Sequence, residues 1–245
     1  MKRKWRIYLG LFLIVVSVIL YIIHYAIFRE PRFISRLLVA QLAFLPISVL
    51  LITIVINQLL STIKKKDLLE KLNMLTGAFC DEVGTELLSH FFRFDLSFDK
   101  IRKKLIVTND WSDKDFADAV KLLKKCDFKI DSRRSDLEPL RAFLVKKRGF
   151  LLRLLENPNL LEHESFTDLL WAVFHLTDEL EKRENLKQLP DTDYGHISDD
   201  MKRAYSLLIC EWLSYMKHLK NRYPYLYSLA VRINPFNPDA SPIVK

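Results

Sequence analysis

The chain has 245 residues and a formal net charge of +8, but only five of its residues are glycine. Scarce glycine, with Leu, Lys, Glu and Phe recurring at spacings of three and four, predicts an almost entirely helical protein. The charge is uneven, because residues 1–66 carry +9 and residues 67–245 carry −1. Nucleic-acid binding needs a basic face on the folded domain itself, so this distribution argues against a nucleic-acid partner.

Two apolar segments open the chain, at residues 7–28 and 37–63, and neither contains Lys, Arg, Asp or Glu. A helix needs roughly 20 such residues to cross a bilayer. The first segment is longer than the apolar region of a signal peptide, and no small-residue cleavage pattern follows it. We therefore expect residues 1–66 to form a retained two-helix transmembrane hairpin, whose partner is the lipid bilayer.

Basic residues flank both predicted spans, and they orient the hairpin because short loops rich in Lys and Arg stay on the cytoplasmic side. The loop between the spans carries three arginines against seven flanking basic residues. Both termini are therefore predicted to be cytoplasmic, and a prokaryotic plasma (inner) membrane is the working location. The orienting residues are Lys2, Arg3, Lys4, Arg6, Lys64, Lys65 and Lys66.

A few polar side chains fall inside the predicted spans. Intramembrane polar groups suggest function by default, but hydrogen bonding between the two helices is the simpler interpretation. These residues are His24, Gln41, Ser48, Asn57 and Gln58.

The remainder of the chain is predicted to be a cytosolic helical bundle. Apolar residues at helical spacing predict that residues 67–96 form an amphipathic helix continuing from the second span. Residues 97–223 form the main cytosolic domain, and residues 224–245 form a Pro-containing C-terminal tail. Because residues 105–107 and 128–130 are β-prone, one short two-stranded β patch is allowed in an otherwise all-α fold.

Two further local patterns bear on the helices of this domain. Ser112 and Asp115 have the spacing of a capping box, with Asp in place of Glu, and predict a helix start. Residues 190–196 read as a loop, with the last helix starting at Ser198 and running to Arg222.

Histidine and acidic residues concentrate late in the chain. Imidazole and carboxylate groups suit several divalent cations, and the candidate metal ligands are His175, Asp178, His196, Glu211 and His218. Helical di-metal sites typically repeat Glu-x-x-His on two helices, and this chain has no such motif. Ordinary polar contacts are therefore the favoured account, and we assign no metal, no cofactor and no catalytic residue.

The same absence of motifs limits the function. The chain has no phosphate-binding glycine loop, no nucleophile elbow and no His-Glu-x-x-His, so a non-enzymatic role is favoured. We expect a membrane-anchored protein-interaction or signalling module, as a homo-oligomer or with a partner membrane or cytosolic protein. Trp171 would lie on the polar face of its helix, which suggests either a contact surface or packing on both sides, and packing is favoured.

Two alternatives remain open at this point. The first is a subunit of an oligomeric pore or transport assembly built from several hairpins. The second is a membrane-bound metal-dependent enzyme that uses the late histidine and acid cluster.

Overall fold

A computed structural model describes residues 2–29, 31–158, 160 and 163–244, without the helix side chains at 2–7, 9, 31 and 67. These residues contain no β-strand, so the all-α prediction is confirmed for the described part of the chain. Its α-helices are α1 (Lys2–Phe28), α2 (Pro31–Phe79), α3 (Thr85–Phe92), α4 (Phe98–Arg102), α5 (Asp113–Lys124), α6 (Glu138–Leu155), α7 (Glu164–Glu181), α8 (Asp191–Arg222) and α9 (Pro224–Arg232).

Contacts divide the chain into two compact units, Met1–Lys65 and Lys66–Lys245. In the first unit, two helices are long and apolar enough to cross a membrane, and no residue in the most apolar stretch of either is buried. A signal sequence or the core helix of a soluble protein can have the same length and composition. Arg29 ends α1 with a positive φ of 53°, and its N–H donates to the Tyr25 carbonyl at 2.9 Å, as at many helix C-termini.

Helical backbone extends from Pro31 to Phe92 through one π-helical turn, Cys80–Gly84. The Thr85 hydroxyl donates to the Cys80 carbonyl at 3.0 Å, across five residues, and so binds a carbonyl of this widened turn. Leu208 and Phe79 lie beside Gly84, since a Cβ at this position would be 3.4 Å from Leu208 Cδ1 and from the Phe79 ring, which is ordinary contact distance.

In the second unit, α8 packs against α7, α9, α5 and α3, and α6 packs against α7. The hydrophobic effect explains the arrangement, because the apolar positions of α8 face its neighbours on several sides. Rings dominate this core: Tyr205 contacts Phe91 and Phe128 edge-on, at centroid distances of 5.6 Å and 4.9 Å.

The predicted two-stranded β patch is wrong. Residues 128–130 do not pair with residues 105–107; instead Ile130 forms a single antiparallel bridge with Asp95. The Leu105 carbonyl accepts from the Asn234 side chain at 3.2 Å, so a distant residue provides the hydrogen bond that a strand neighbour would have supplied.

The loop predicted at residues 190–196 is also wrong, because α8 already begins at Asp191. Pro190 adopts an extended conformation immediately before the helix, and acidic residues in a first turn favour the positive end of the helix dipole. The expected C-terminal tail likewise begins with a helix, α9, in which Pro224 takes a first-turn position where its missing N–H carries no cost.

The capping box is confirmed. The Ser112 hydroxyl accepts from the Asp115 N–H, while the Asp115 carboxylate accepts from the Ser112 N–H. This reciprocal pair starts α5 at Asp113, one residue after the cap.

Candidate metal centre

Two helices each present a histidine and an acid four residues apart. On α7 these are His175 and Glu179, and on α8 they are His196 and Asp200. Residues four apart lie on one face of a helix, and α7 packs against α8. The four side chains therefore meet where the two helices face each other.

The ligand-type atoms of this cluster are close together. The Nε2 atoms of His175 and His196 each lie 3.3 Å from Asp200 Oδ2. The two carboxylate oxygens of Glu179 lie slightly farther out, at 3.9 Å from His175 Nε2 and 3.8 Å from His196 Nε2. One ligand atom from each of His175, His196 and Asp200 can be chosen so that all three lie within 4.8 Å of one another.

Asp200 is the buried member of the cluster, with 4% of its side chain exposed, whereas about half of each histidine side chain is exposed. Among the described residues, Asp200 Oδ2 accepts no hydrogen bond, so the two 3.3 Å contacts lack hydrogen-bond geometry. A buried carboxylate oxygen without a donor is costly. This cost is the feature of the cluster that needs a physical explanation.

Arginines surround the cluster and neutralise part of its charge. Arg183 binds Asp193 through two hydrogen bonds of 2.8 Å and 2.6 Å, and it also binds Glu179 at 2.7 Å. These hydrogen bonds from Arg183 lower the pKa of both the Glu179 and the Asp193 carboxyl groups. Arg203 approaches the other oxygen of Asp200, Oδ1, at 3.5 Å.

The structure brings together only two of the predicted metal ligands, His175 and His196. Asp178 instead forms an ion pair with Arg148 at 3.1 Å. Glu211 is buried in α8, and His218 packs against the Tyr223 ring at a centroid distance of 5.7 Å.

The predicted metal ligands include neither Glu179 nor Asp200, although Asp200 belongs to the late concentration of histidine and acidic residues in the sequence. The signal that could have found them is His-x-x-x-acid on two successive helices. The sequence predicts a loop over residues 190–196, and a loop there would keep His196 off the helix face that carries Asp200. Glu162, which flanks another late histidine, lies outside the described residues.

The polar residues of the hairpin have separate roles. The Tyr21 hydroxyl donates to Gln41 Oε1 at 3.1 Å, which joins α1 to α2. His24 stacks on Phe33 and contacts the Phe28 ring at a tilted angle, and Ser48 donates to the carbonyl of Phe44 in its own helix.

The remaining hairpin residues make fewer contacts. Asn57 and Gln58 are exposed, as are Lys64, Lys65 and Lys66. The side chains of Lys2, Arg3, Lys4 and Arg6 lie outside the description.

Comparison with known proteins shows where the chain belongs. Residues 1–60 match the model of a family described as "MJ1433, N-terminal helical domain". Residues 68–232 match a second model, "Uncharacterized protein MJ1433, C-terminal helical domain". The chain is also 46% identical over 235 residues to "Uncharacterized protein MJ1433" of Methanocaldococcus jannaschii, covering 96% of this chain and 94% of that protein. The chain belongs to the MJ1433 family.

Residues 61–67 lie between the two MJ1433 family models. The two compact units of the structure are divided within this stretch, between Lys65 and Lys66. Both models are described as helical, which agrees with the structure. The residues of the α7–α8 cluster all fall inside the C-terminal model of the MJ1433 family. No solved structure matches the chain.

Proposed function

We propose that this member of the MJ1433 family is a two-pass integral membrane protein that carries a cytosolic protein-interaction module, residues 66–245. The observation that carries the membrane part is the exposure of α1 and the apolar part of α2. The most apolar 18-residue stretch of each has no buried residue, and an exposed apolar surface of this size needs lipid or protein to cover it. The bilayer is the simplest cover for two such helices, since each is long enough to span it.

Trp171 supports the interaction role of the helical module. It lies on α7 with 57% of its surface exposed, and the Phe174 ring stands perpendicular to it at 6.2 Å. The packing on both sides of α7 that the sequence favoured would have covered this side chain. Exposed tryptophan is costly in water and is enriched at the centres of protein interfaces.

The membrane part is tested by extraction and by labelling. We expect the full chain to stay in the membrane pellet after alkaline extraction. We also expect Ser35→Cys, between the two spans, to react with a membrane-impermeant maleimide in intact cells. The native Cys126 and Cys210 serve as the internal control, because they should react only after permeabilisation. Release of the chain by alkali, or labelling of the native cysteines in intact cells, would contradict the proposal.

The interaction part is tested with a photo-crosslinking amino acid at position 171 in cells that express the full chain. We expect a discrete adduct, either with a second copy of the chain or with one partner protein. The same amino acid at Lys121, an exposed position on α5, is the matched control. Equal or absent crosslinking at both positions would contradict an interface at Trp171.

A further inference from the structure

We propose that His175, His196 and Asp200 bind one divalent transition-metal ion, with Glu179 or a water molecule in the fourth position. This site is independent of membrane anchoring, because all four residues lie within the unit Lys66–Lys245.

The two distances between Asp200 and the histidines fit a small tetrahedral ion. Zinc binds imidazole nitrogen and carboxylate oxygen at about 2.0 to 2.2 Å, so two ligands at the tetrahedral angle lie about 3.3 to 3.5 Å apart. Asp200 Oδ2 lies 3.3 Å from both His175 Nε2 and His196 Nε2. Glu179 lies next to this set, with Oε1 3.9 Å from His175 Nε2 and Oε2 3.8 Å from His196 Nε2, so a shift of its side chain would be needed for one oxygen to take the fourth position.

The unpartnered oxygen also fits a metal ligand. Asp200 Oδ2 is enclosed and accepts no hydrogen bond from the described residues. If the histidines simply donated to this oxygen, the 3.3 Å contacts would have hydrogen-bond angles. Nitrogen and oxygen atoms that lie close together without such angles can instead direct their lone pairs at a shared cation.

The charge of the surroundings favours a cation. Asp200, Glu179 and Asp193 carry three negative charges, whereas the neighbouring Arg183 and Arg203 carry two positive charges. A histidine that binds a metal does so as the neutral imidazole and adds no charge. The remaining excess of one negative charge favours a cation at the point where Asp200 is shielded from water.

The donor set selects the class of ion. Two imidazoles and a carboxylate suit Zn²⁺ and other late first-row ions, whereas Mg²⁺ and Ca²⁺ prefer sites made only of oxygen ligands. Both histidines are half exposed, so solvent reaches the outer side of the cluster. An ion held there by three protein ligands could keep an exchangeable water, as catalytic zinc sites do and closed structural sites do not.

The test uses the full chain in detergent, purified without a polyhistidine tag, stripped with a chelator and titrated with Co²⁺. Four-coordinate Co²⁺ absorbs visible light much more intensely than the six-coordinate ion. We expect intense bands that saturate at one Co²⁺ per chain and disappear when one equivalent of Zn²⁺ is added. Absence of these bands in the wild-type protein would overturn the proposal.

Variants assign the site. Asp200→Asn, which nearly preserves shape, and the pair His175→Ala with His196→Ala should each weaken Zn²⁺ binding by at least about 100-fold, since a direct ligand should matter at least as much as the groups that orient it. His218→Ala, on the same helix, is the matched control and should retain full binding. Unchanged binding in the double variant would overturn the proposal.

Thermal melting of the metal-free proteins, with and without added Zn²⁺, distinguishes loss of the site from loss of the fold. We expect Zn²⁺ to raise the melting temperature of the wild type and of His218→Ala, but not that of the double variant. An equal Zn²⁺-dependent rise in the double variant would place the metal elsewhere and contradict the assignment.

Discussion

The Tyr205 hydroxyl of α8 donates a hydrogen bond to Asp95 Oδ2 at 3.3 Å, although the two residues are 110 positions apart. Asp95 is fully buried in the turn after α3, where its other oxygen accepts from the Ser97 N–H and hydroxyl at 2.7 Å. Burial and the Asp95 carboxylate both raise the pKa of Tyr205, so the hydroxyl keeps the proton that it donates. This contact links the centre of the bundle to the segment that follows α3.

Tyr205→Phe should therefore destabilise the protein by about 1 to 3 kcal/mol, because it leaves a buried carboxylate oxygen without its donor. The ring contacts with Phe91 and Phe128 would remain, so the loss reports on the hydrogen bond. Denaturant unfolding of the full chain in detergent, followed by tryptophan fluorescence, measures the change. Tyr225→Phe is the control, since Tyr225 is 71% exposed and its replacement should have little effect. Equal stabilities for the two variants would contradict the prediction.

The sequence separation of Tyr205 and Asp95 shows which parts of the fold can be predicted from local sequence patterns and which cannot. The all-α class and the start of α5 were predictable, because helical periodicity and the Ser112–Asp115 box are local patterns. The β patch was predicted from equally local alternation, but the hydrogen bond to the Leu105 carbonyl comes from Asn234. No local pattern contains that pairing, because it depends on where the chain returns after α9.

The residues of the candidate metal centre were hard to predict for the same reason, because their grouping also depends on contacts between distant parts of the chain. Pro190 and Gly195 favour a loop in the sequence, and such a loop would separate His196 from the predicted helix that carries Asp200. In the folded protein Ser132 stabilises the start of α8, because its hydroxyl donates to the Tyr194 carbonyl at 2.8 Å. Arg183 adds two hydrogen bonds to Asp193. These tertiary contacts override the weak helix propensity of this stretch.

Glycine at position 195 offers a direct test of that helix start. A Cβ added there would meet no atom within 4 Å, so Gly195→Ala should stabilise the protein by about 0.5 to 1 kcal/mol through helix propensity. Gly77→Ala is the matched control, because its Cβ would lie 3.1 Å from the Tyr215 ring and the crowding should cancel the gain. The difference in unfolding midpoint measures both effects. A destabilised Gly195→Ala variant would indicate that residue 195 is not helical.

Acidification should destabilise the metal-free protein through His90. Burial, and then the charge of Arg93, lower the pKa of this imidazole, while Glu86 acts weakly in the opposite direction. The His90 ring also packs against Phe143 at a centroid distance of 5.1 Å. As the pH falls, His90 of the unfolded chain therefore binds a proton near pH 6.5, whereas His90 of the folded chain does so only at a lower pH. Stability is full above that pH and declines as the pH falls toward the lower pKa of the folded state.

His90→Gln removes this contribution, so its stability should depend less steeply on pH between about 7.5 and 5.5. His218 provides a second instance, because burial and Arg222 lower its pKa as well. A variant that combines His90→Gln with His218→Gln should therefore have the shallowest slope. Unfolding midpoints at a series of pH values, with chelator present throughout, give the slopes. Identical slopes for the wild type and the variant that combines His90→Gln with His218→Gln would contradict the assignment.

The three cysteines should differ in reactivity according to their burial. Cys80 in the π-helical turn is 1% exposed, and burial, followed by the charges of Asp81 and Glu211, raises its pKa strongly. Cys126 and Cys210 are only partly buried, and burial raises the pKa of both. Because the thiolate is the reactive form, iodoacetamide should modify Cys126 and Cys210 in the folded chain and should spare Cys80 until the protein unfolds.

Mass spectrometry of the labelled peptides counts the modified sites. Cys80→Ala is the control, with unchanged labelling when folded and one site fewer when denatured. Modification of Cys80 at the rate of Cys126 in the folded protein would show that the π-helical turn opens to solvent, contrary to the packing of Gly84 against Leu208 and Phe79.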